Sequence, residues 1–348
     1  MLGLARDGLG VGLRMVVNGD RGLLVGRIAS LVEDTLVLSM PDRADAALAG
    51  LQLRDLPHRQ GPGRAVLAPA GRQAQLALPG DDASGPGQVR RLRQVAAAAS
   101  LRDAAVPAHL RPFRIAALPE VVPYDESLIR DRPTLAGLWA LVGIGGDQAG
   151  PLGVDLGTDS GPTFVVGGPP RSGRSTALAV MAVSVLDRGG QVVLVAPRLS
   201  PLRQLARRPG VLAVLTGVEG DQGRLEAAVA AATAPLVVLV DDAELVVEGT
   251  LRAVLGDYLS GCRDGEGALV LAGTTTDLQA GFRGVAAQAR KGRTGLLLSP
   301  EGALDGDLLG VRLPRSLALP GPRGRGVLVV RGALTAVQVP FLEPAAEG

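Results

Sequence analysis

A short apolar run at residues 164–167 leads into Gly168-Pro169-Pro170-Arg171-Ser172-Gly173-Arg174-Ser175-Thr176, and an unbroken stretch of small and apolar residues follows to Leu186. Strand, glycine-bounded loop and helix in that order leave few architectures open. The strand must lie within a sheet, and the helix over 176–186 must cross one of its faces. Set against the pattern G-x-x-x-x-G-K-[ST], Gly168, Gly173 and Ser175 fall in register, and Arg174 stands where the pattern has lysine. Loops of this kind turn consecutive backbone N–H groups inward on a phosphate, with the positive end of the next helix behind them. Gly168 and Gly173 allow the tight wrap. Pro169 and Pro170 stiffen its first turn while removing two N–H donors. Ser175 is placed to give its hydroxyl to Mg²⁺.

About 65 residues further on, the continuous apolar run 236–240 ends in Asp241-Asp242-Ala243-Glu244. Such a run is expected of a strand buried on both faces of a parallel sheet. Asp241 is the natural holder of Mg²⁺ through a water shell, opposite Ser175. Glu244 falls on the following turn and is expected to point elsewhere. Thr274, Thr275 and Thr276 close another apolar run at 268–272. A hydroxyl there can sense a terminal phosphate or simply end a strand. Arg290-Lys291-Gly292-Arg293 is the densest basic cluster; it can reach a neighbouring subunit's nucleotide, touch nucleic acid, or lie as solvated surface. Arg174 also has two readings. Its planar fork can clamp phosphate oxygens, or it is an exposed remnant of a decayed site.

Further strands are expected at 191–196, 212–215 and 295–298, with helices at 250–259 and near Val285 and a closing hairpin at 327–330 and 336–339. The alternation gives an α/β fold, a parallel sheet between helices. Three blocks recur at an offset of about 260 residues. The segment 6–17 resembles 263–271, 35–39 resembles 294–299, and 63–67 resembles 324–328. Residues 1–80 are therefore expected to be the back part of a module like the complete one at 115–348, joined to it by 81–114. Within that join, 81–88 reads as a linker, 89–102 as an alanine-rich helix, and 111–131 as extended and proline-punctuated; 134–142 opens the second module.

Bulk properties narrow the function. Hydrophobic residues make up 47% of the 348, which excludes general disorder. No apolar stretch approaches the ~18 residues of a membrane span, so no direct insertion is expected. The start of the chain carries Arg6, Asp7, Arg14 and Asp20 and does not read as a signal peptide. The single cysteine, Cys262, fits a reducing cytoplasm, and only His58 and His109 are available to activate it. The pI is 9.2, yet 36 basic residues face 34 acidic ones and aromatics are 2%, so composition does not establish nucleic-acid binding. A small-molecule kinase ranks low, because no lid-like or acceptor motif lies between the two acid- and glycine-bearing elements.

The loop Gly168–Thr176, the Asp241-Asp242 strand end, the Arg-Asp-Gly blocks and the Gly-Arg-Gly before the last strands together resemble the FtsK/SpoIIIE family of ATPases. The tandem arrangement and the Asp-Asp ending are similar to the actinobacterial multi-domain members, including those of type VII secretion. The resemblance implies a RecA-like P-loop NTPase core, preceded by a partial second copy. It implies ATP and Mg²⁺ as cofactors. Gly168, Pro169, Pro170, Arg171, Ser172, Gly173, Arg174, Ser175 and Thr176 would surround the phosphates, with Ser175 and Asp241 on the metal. Asp242 would stand at the water-activating position and Thr274 would act as sensor. It further implies a cytoplasmic translocase, assembled as a homo-oligomeric ring in its full-length context and moving DNA or a secreted protein. Arg174 in place of the family lysine and Asp242 in place of the active motors' glutamate imply weak hydrolysis. The alternative is a non-catalytic docking or regulatory module.

Overall fold

The computed structural model describes residues 2–107, 110, 115–130, 138–157, 161–217, 221–246, 249–262, 267–280, 284–317 and 321–343. His109, the block 263–266 and the segment 134–137 lie outside the described residues. The chain divides into two units, Met1–Arg111 and Pro112–Gly348.

In the first unit, helix α1 (Leu2–Asp7) precedes an antiparallel sheet in the order β1 (Thr35–Val37), β2 (Arg64–Ala68), β3 (Arg72–Gln75), and helix α2 (Gly85–Arg102) follows it. Its core is small: Val37, Ala46, Leu51, Leu56, Val66 and Ala68. Helix α2 begins inside the stretch expected to be linker. Ser84 accepts the Gly87 N–H at 3.1 Å, and Pro86 sits in the first turn, where its missing N–H is no loss. Residues 13–17, whose block resembles one that ends in the strand Gly267–Gly273, form no strand. An extended segment needs a neighbouring strand for its backbone groups, and no described residue of this unit supplies one, leaving Val16 wholly exposed.

The second unit is organised by one ten-stranded sheet. Helix α3 (Ser127–Arg130) leads to the hairpin β4 (Trp139–Gly145) and β5 (Gly150–Asp155). Then come β6 (Thr163–Gly167), α4 (Arg174–Leu186), β7 (Gln191–Val195), β8 (Val211–Leu215), α5 (Gln222–Ala230), β9 (Leu236–Val240) and α6 (Arg252–Gly261). β10 (Gly267–Gly273), α7 (Thr275–Ala280), α8 (Gly284–Arg290) and β11 (Gly295–Leu298) follow, and the hairpin β12 (Arg325–Val330) and β13 (Ala333–Gln338) closes the unit. The order is β5-β4-β13-β12-β11-β6-β10-β9-β7-β8; the six strands from β11 to β8 are parallel and the other four antiparallel.

Alternation within the parallel strands builds a core on each face. Phe164, Val166, Leu194, Leu239 and Val270 pack with Ala177, Leu178, Met181 and Val185 of α4. Val165, Val193, Val238, Leu269 and Leu271 pack with Leu225, Leu255 and Ala286 of α5, α6 and α8. The fold is thus α/β, a mostly parallel sheet flanked by helices.

The two units share internal geometry. In the first, Thr35, Leu36 and Val37 pair with Ala68, Leu67 and Val66; in the second, Gly295, Leu296 and Leu297 pair with Val329, Leu328 and Val327. Between the two strands of each pair lies a 3₁₀ helix, Arg43–Ala49 or Ala303–Leu309, stopped by a left-handed glycine, Gly50 or Gly310.

Candidate functional site

Because β6, β10, β9 and β7 run parallel, the loops after them leave the sheet on one edge. β10 lies between β6 and β9, so the glycine loop and the acid pair are two strand spacings apart, roughly 10 Å. Arg174, in the first turn of α4, spans that gap. It donates to the Gly168 carbonyl at 2.8 Å and to Asp242 Oδ1 at 3.3 Å, with the two side chains only 11% and 13% exposed.

The loop itself is tightly drawn. Gly168 donates its N–H to the Gly273 carbonyl at 3.3 Å, and Ser172 closes a turn on the Pro169 carbonyl. A Cβ on Gly168 would come 2.7 Å from Ser172 Oγ and 2.8 Å from the Leu298 carbonyl. Gly173 has φ +108, a conformation other residues rarely adopt. Gly324, just before β12, donates its N–H to the Ser172 carbonyl at 3.0 Å and so pins the loop from the far side. Pro170 and Arg171 are exposed; Ser175 and Thr176 lie in the first turn of α4.

Asp241 and Asp242 are held very differently. Asp241 is 2% exposed; its Oδ1 accepts the Asp242 N–H at 3.1 Å and its Oδ2 accepts the Ser200 hydroxyl at 2.7 Å. Asp242 has φ +45, strained for a residue with a side chain, and gives Oδ1 to Arg174 and, at 3.9 Å, to Arg198. Glu244, expected to point away, instead packs against Gly273 at the tip of β10, where its Oε2 is buried without a hydrogen-bond partner. Burial raises its pKa; the Arg174 charge opposes that rise, and Asp242 and Asp277 add to it.

Thr274 sits beside this group, but its hydroxyl is bonded to the Asp277 carboxylate and accepts the Asp277 N–H at 3.1 Å, capping α7. The basic cluster at 290–293 precedes β11, so it lies at the opposite edge of the sheet from the glycine loop. Ser200, Arg198 and Gly324 are additions that no motif signals; only the recurrence of Gly324 with Gly63 singles it out in the sequence.

The residues present fit a phosphate group. Gly168 has no room for a Cβ, Gly173 holds a φ that side chains rarely adopt, and the buried Ser172 hydroxyl has no protein partner. Among the described residues no group of three or more His, Cys, Asp or Glu is arranged to hold a metal. A cavity of about 400 Å³ opens beside the loop, lined by Pro169, Pro170, Thr274, Asp277 and Ser299. A larger one, about 740 Å³, lies at the opposite edge between α5 and α6, with none of the glycine-loop or acid-pair residues in its lining.

No protein-family model matches this chain, and no curated protein matches its sequence. Its fold does match solved structures. ATPases 2 and 3 of EssC from Geobacillus thermodenitrificans align over 98% of this chain and 67% of that one, with TM-score 0.66 and 18% identity. The cytoplasmic domain of the Thermomonospora curvata type VII secretion ATPase EccC aligns over 98% and 41%, at 0.57 and 22%. Thermomonospora curvata EccC ATPases 2 and 3 in complex with a signal sequence peptide align over 99% and 64%, at 0.58 and 20%. The chain therefore spans from 41% to 67% of the length of these proteins and shares their fold.

Proposed function

We propose that residues 115–348 form the nucleotide-binding module of an FtsK/SpoIIIE-type translocase ATPase, taking ATP with Mg²⁺ and turning it over slowly. Residues 1–80 would be the C-terminal part of a like module, joined through 81–114. The observation that carries this reading is the Arg174–Asp242 contact, which brings the glycine loop and the acid-ended strand into one site. Gly168 to Thr176 would wrap the phosphates, with the N-terminus of α4 behind them. Ser175 and Asp241 would hold the metal, whose chemistry is to neutralise charge developing on phosphate oxygens. Ser200 keeps Asp241 in one orientation for that task.

Slow turnover follows from how the remaining groups are engaged. A guanidinium does not place its charge as a lysine ammonium does, and the fork of Arg174 is already divided between a carbonyl and a carboxylate. Asp242, at the water-activating position, has two guanidiniums on one oxygen. The Thr274 hydroxyl is committed to a helix cap. Each group that would assist phosphoryl transfer is held by another part of the fold.

An exported protein is the favoured cargo. EccC was solved with a signal sequence peptide, whereas a net charge of +2 and 2% aromatics give this chain little with which to hold DNA. The working form would be a homo-oligomeric ring in its full-length context. Among the described residues no helix is long and apolar enough to cross a membrane. The test is titration with a fluorescent Mg·ATP analogue while phosphate release is followed, for the wild type and Arg174→Lys. Expected are binding without appreciable turnover in the wild type and increased turnover in the variant. Absence of binding in both proteins would refute the proposal.

A further inference from the structure

The loop after β7 belongs to no recognised motif, yet it forms one wall of the site. Its backbone is pinned on both sides. Ala196 donates its N–H to the Leu215 carbonyl at 2.8 Å, and the Arg203 guanidinium donates to the carbonyls of Ala196, at 2.8 and 3.1 Å, and of Pro197, at 3.0 Å. Ser200 is locked to Asp241 at 2.7 Å. Arg198 stands between these fixed points and reaches Asp242 Oδ1 at 3.9 Å, the oxygen that Arg174 approaches at 3.3 Å. The two cations differ in setting: the Arg174 side chain is 11% exposed, and that of Arg198 is 62% exposed.

Resting on the nucleotide reading above, we infer that Arg198 is the residue by which this site distinguishes a nucleoside triphosphate from a diphosphate. Asp242 holds its guanidinium in place of a terminal phosphate. A terminal phosphoryl group carries up to about two negative charges and three acceptor oxygens, against one charge on the carboxylate, so a planar fork gains by changing partner. Arg198 can make that change because its base is fixed and its tip is already in water. Arg174 cannot do so as readily, since it would leave a carbonyl and a carboxylate together in a largely buried position. The exchange also removes one of the two guanidiniums from Asp242, so triphosphate binding and the freeing of that acid become one event. A diphosphate has no group to draw Arg198 away.

The test is equilibrium titration of the full chain with a fluorescent, non-hydrolysable ATP analogue and with the matching ADP analogue, both with Mg²⁺. Wild type, Arg198→Ala and Arg198→Lys are compared, with Trp139 fluorescence as the check on folding. For Arg198→Ala, triphosphate affinity should fall about 5- to 20-fold, as for loss of one partly solvated charge-assisted contact, while ADP affinity changes less than about twofold. Arg198→Lys should lie between. Equal losses for both nucleotides would make Arg198 a support of the loop, and no change would make it a surface residue; either overturns the inference. If the wild type binds neither nucleotide, the nucleotide reading itself fails and the inference fails with it. If it binds both and the variants behave like it, only the role of Arg198 falls.

Discussion

Replacing Ser200 with alanine tests how the fold holds its acid pair, because this hydroxyl has two partners. It donates to Asp241 Oδ2 at 2.7 Å, and its oxygen accepts the Leu202 N–H at 3.3 Å as the cap of a 3₁₀ helix at Pro201–Arg207. Losing the cap costs about 1 kcal/mol. Losing a hydrogen bond to a carboxylate costs roughly 1.5–3 kcal/mol. Water cannot step in to soften that loss, because Asp241 is 2% and Ser200 6% exposed. Ser200→Ala should therefore lower stability by about 2.5–4 kcal/mol, and the midpoint of thermal unfolding by about 2–4 °C per kcal/mol.

A double-mutant cycle separates the two contributions. In an Asp241→Ala background Ser200→Ala should cost only the cap, about 1 kcal/mol, giving a coupling of about 1.5–3 kcal/mol. Trp139 is the only tryptophan and is 8% exposed, so its fluorescence during urea unfolding reports on the second unit alone. Equal costs in both backgrounds, with coupling below about 0.5 kcal/mol, would refute the claim that Ser200 acts through Asp241.

Two further outcomes are expected. Burial first, with Asp242 and Asp277 adding and Arg174 opposing, raises the Glu244 pKa. Between the ordinary carboxylate range and that raised value the native state holds more proton than the unfolded chain, so this group makes stability fall as pH rises through that window. Glu244→Gln should flatten that slope and be more stable than wild type at neutral pH, with the difference vanishing at acid pH; urea unfolding from pH 4 to 7 measures both. Burial likewise raises the Cys262 thiol pKa, and its Sγ is bonded to the Tyr258 carbonyl at 3.1 Å. A neutral disulfide reagent at pH 8 should modify it at least about tenfold more slowly in native than in urea-unfolded protein. Comparable rates would mean the thiol is exposed.

The parts of the fold legible in the sequence are those that one local pattern determines. The run 236–240 emerges as β9 with unchanged bounds, since five consecutive apolar residues suit a strand covered on both faces. The hairpin β4–β5 leaves no comparable local pattern. Trp139–Gly145 is equally apolar, but its pairing partner is half-covered and begins with Gly150-Pro151, a pattern closer to a loop. Helix α5 has no clear sequence signal, because its alanines match no strong amphipathic stripe and only Leu225 and Ala228 are buried. The glycine loop and acid pair were legible because each has a fixed spacing. Ser200 and Arg198 were not, because what brings them to Asp241 and Asp242 is the order of β9 and β7 in the sheet, a tertiary fact with no local trace.

The internal repeat separates what the fold needs from what the site needs. Leu36 is 48% exposed in β1, while its counterpart Leu296 in β11 is wholly buried. The strands have the same neighbour on one edge, β2 or β12, in the same register. They differ on the other edge, where β11 has β6 and its glycine loop and β1 has no described partner. The same strand pairing and 3₁₀ helix thus occur twice, once with the glycine loop beside them and once, among the described residues, without it. Apolar residues on the repeated strand are the same type in both settings, so the pattern on β1 matches that of a strand flanked on two sides. What the two units share is therefore the strand pairing and the 3₁₀ helix, and what separates them is the neighbour on the other edge.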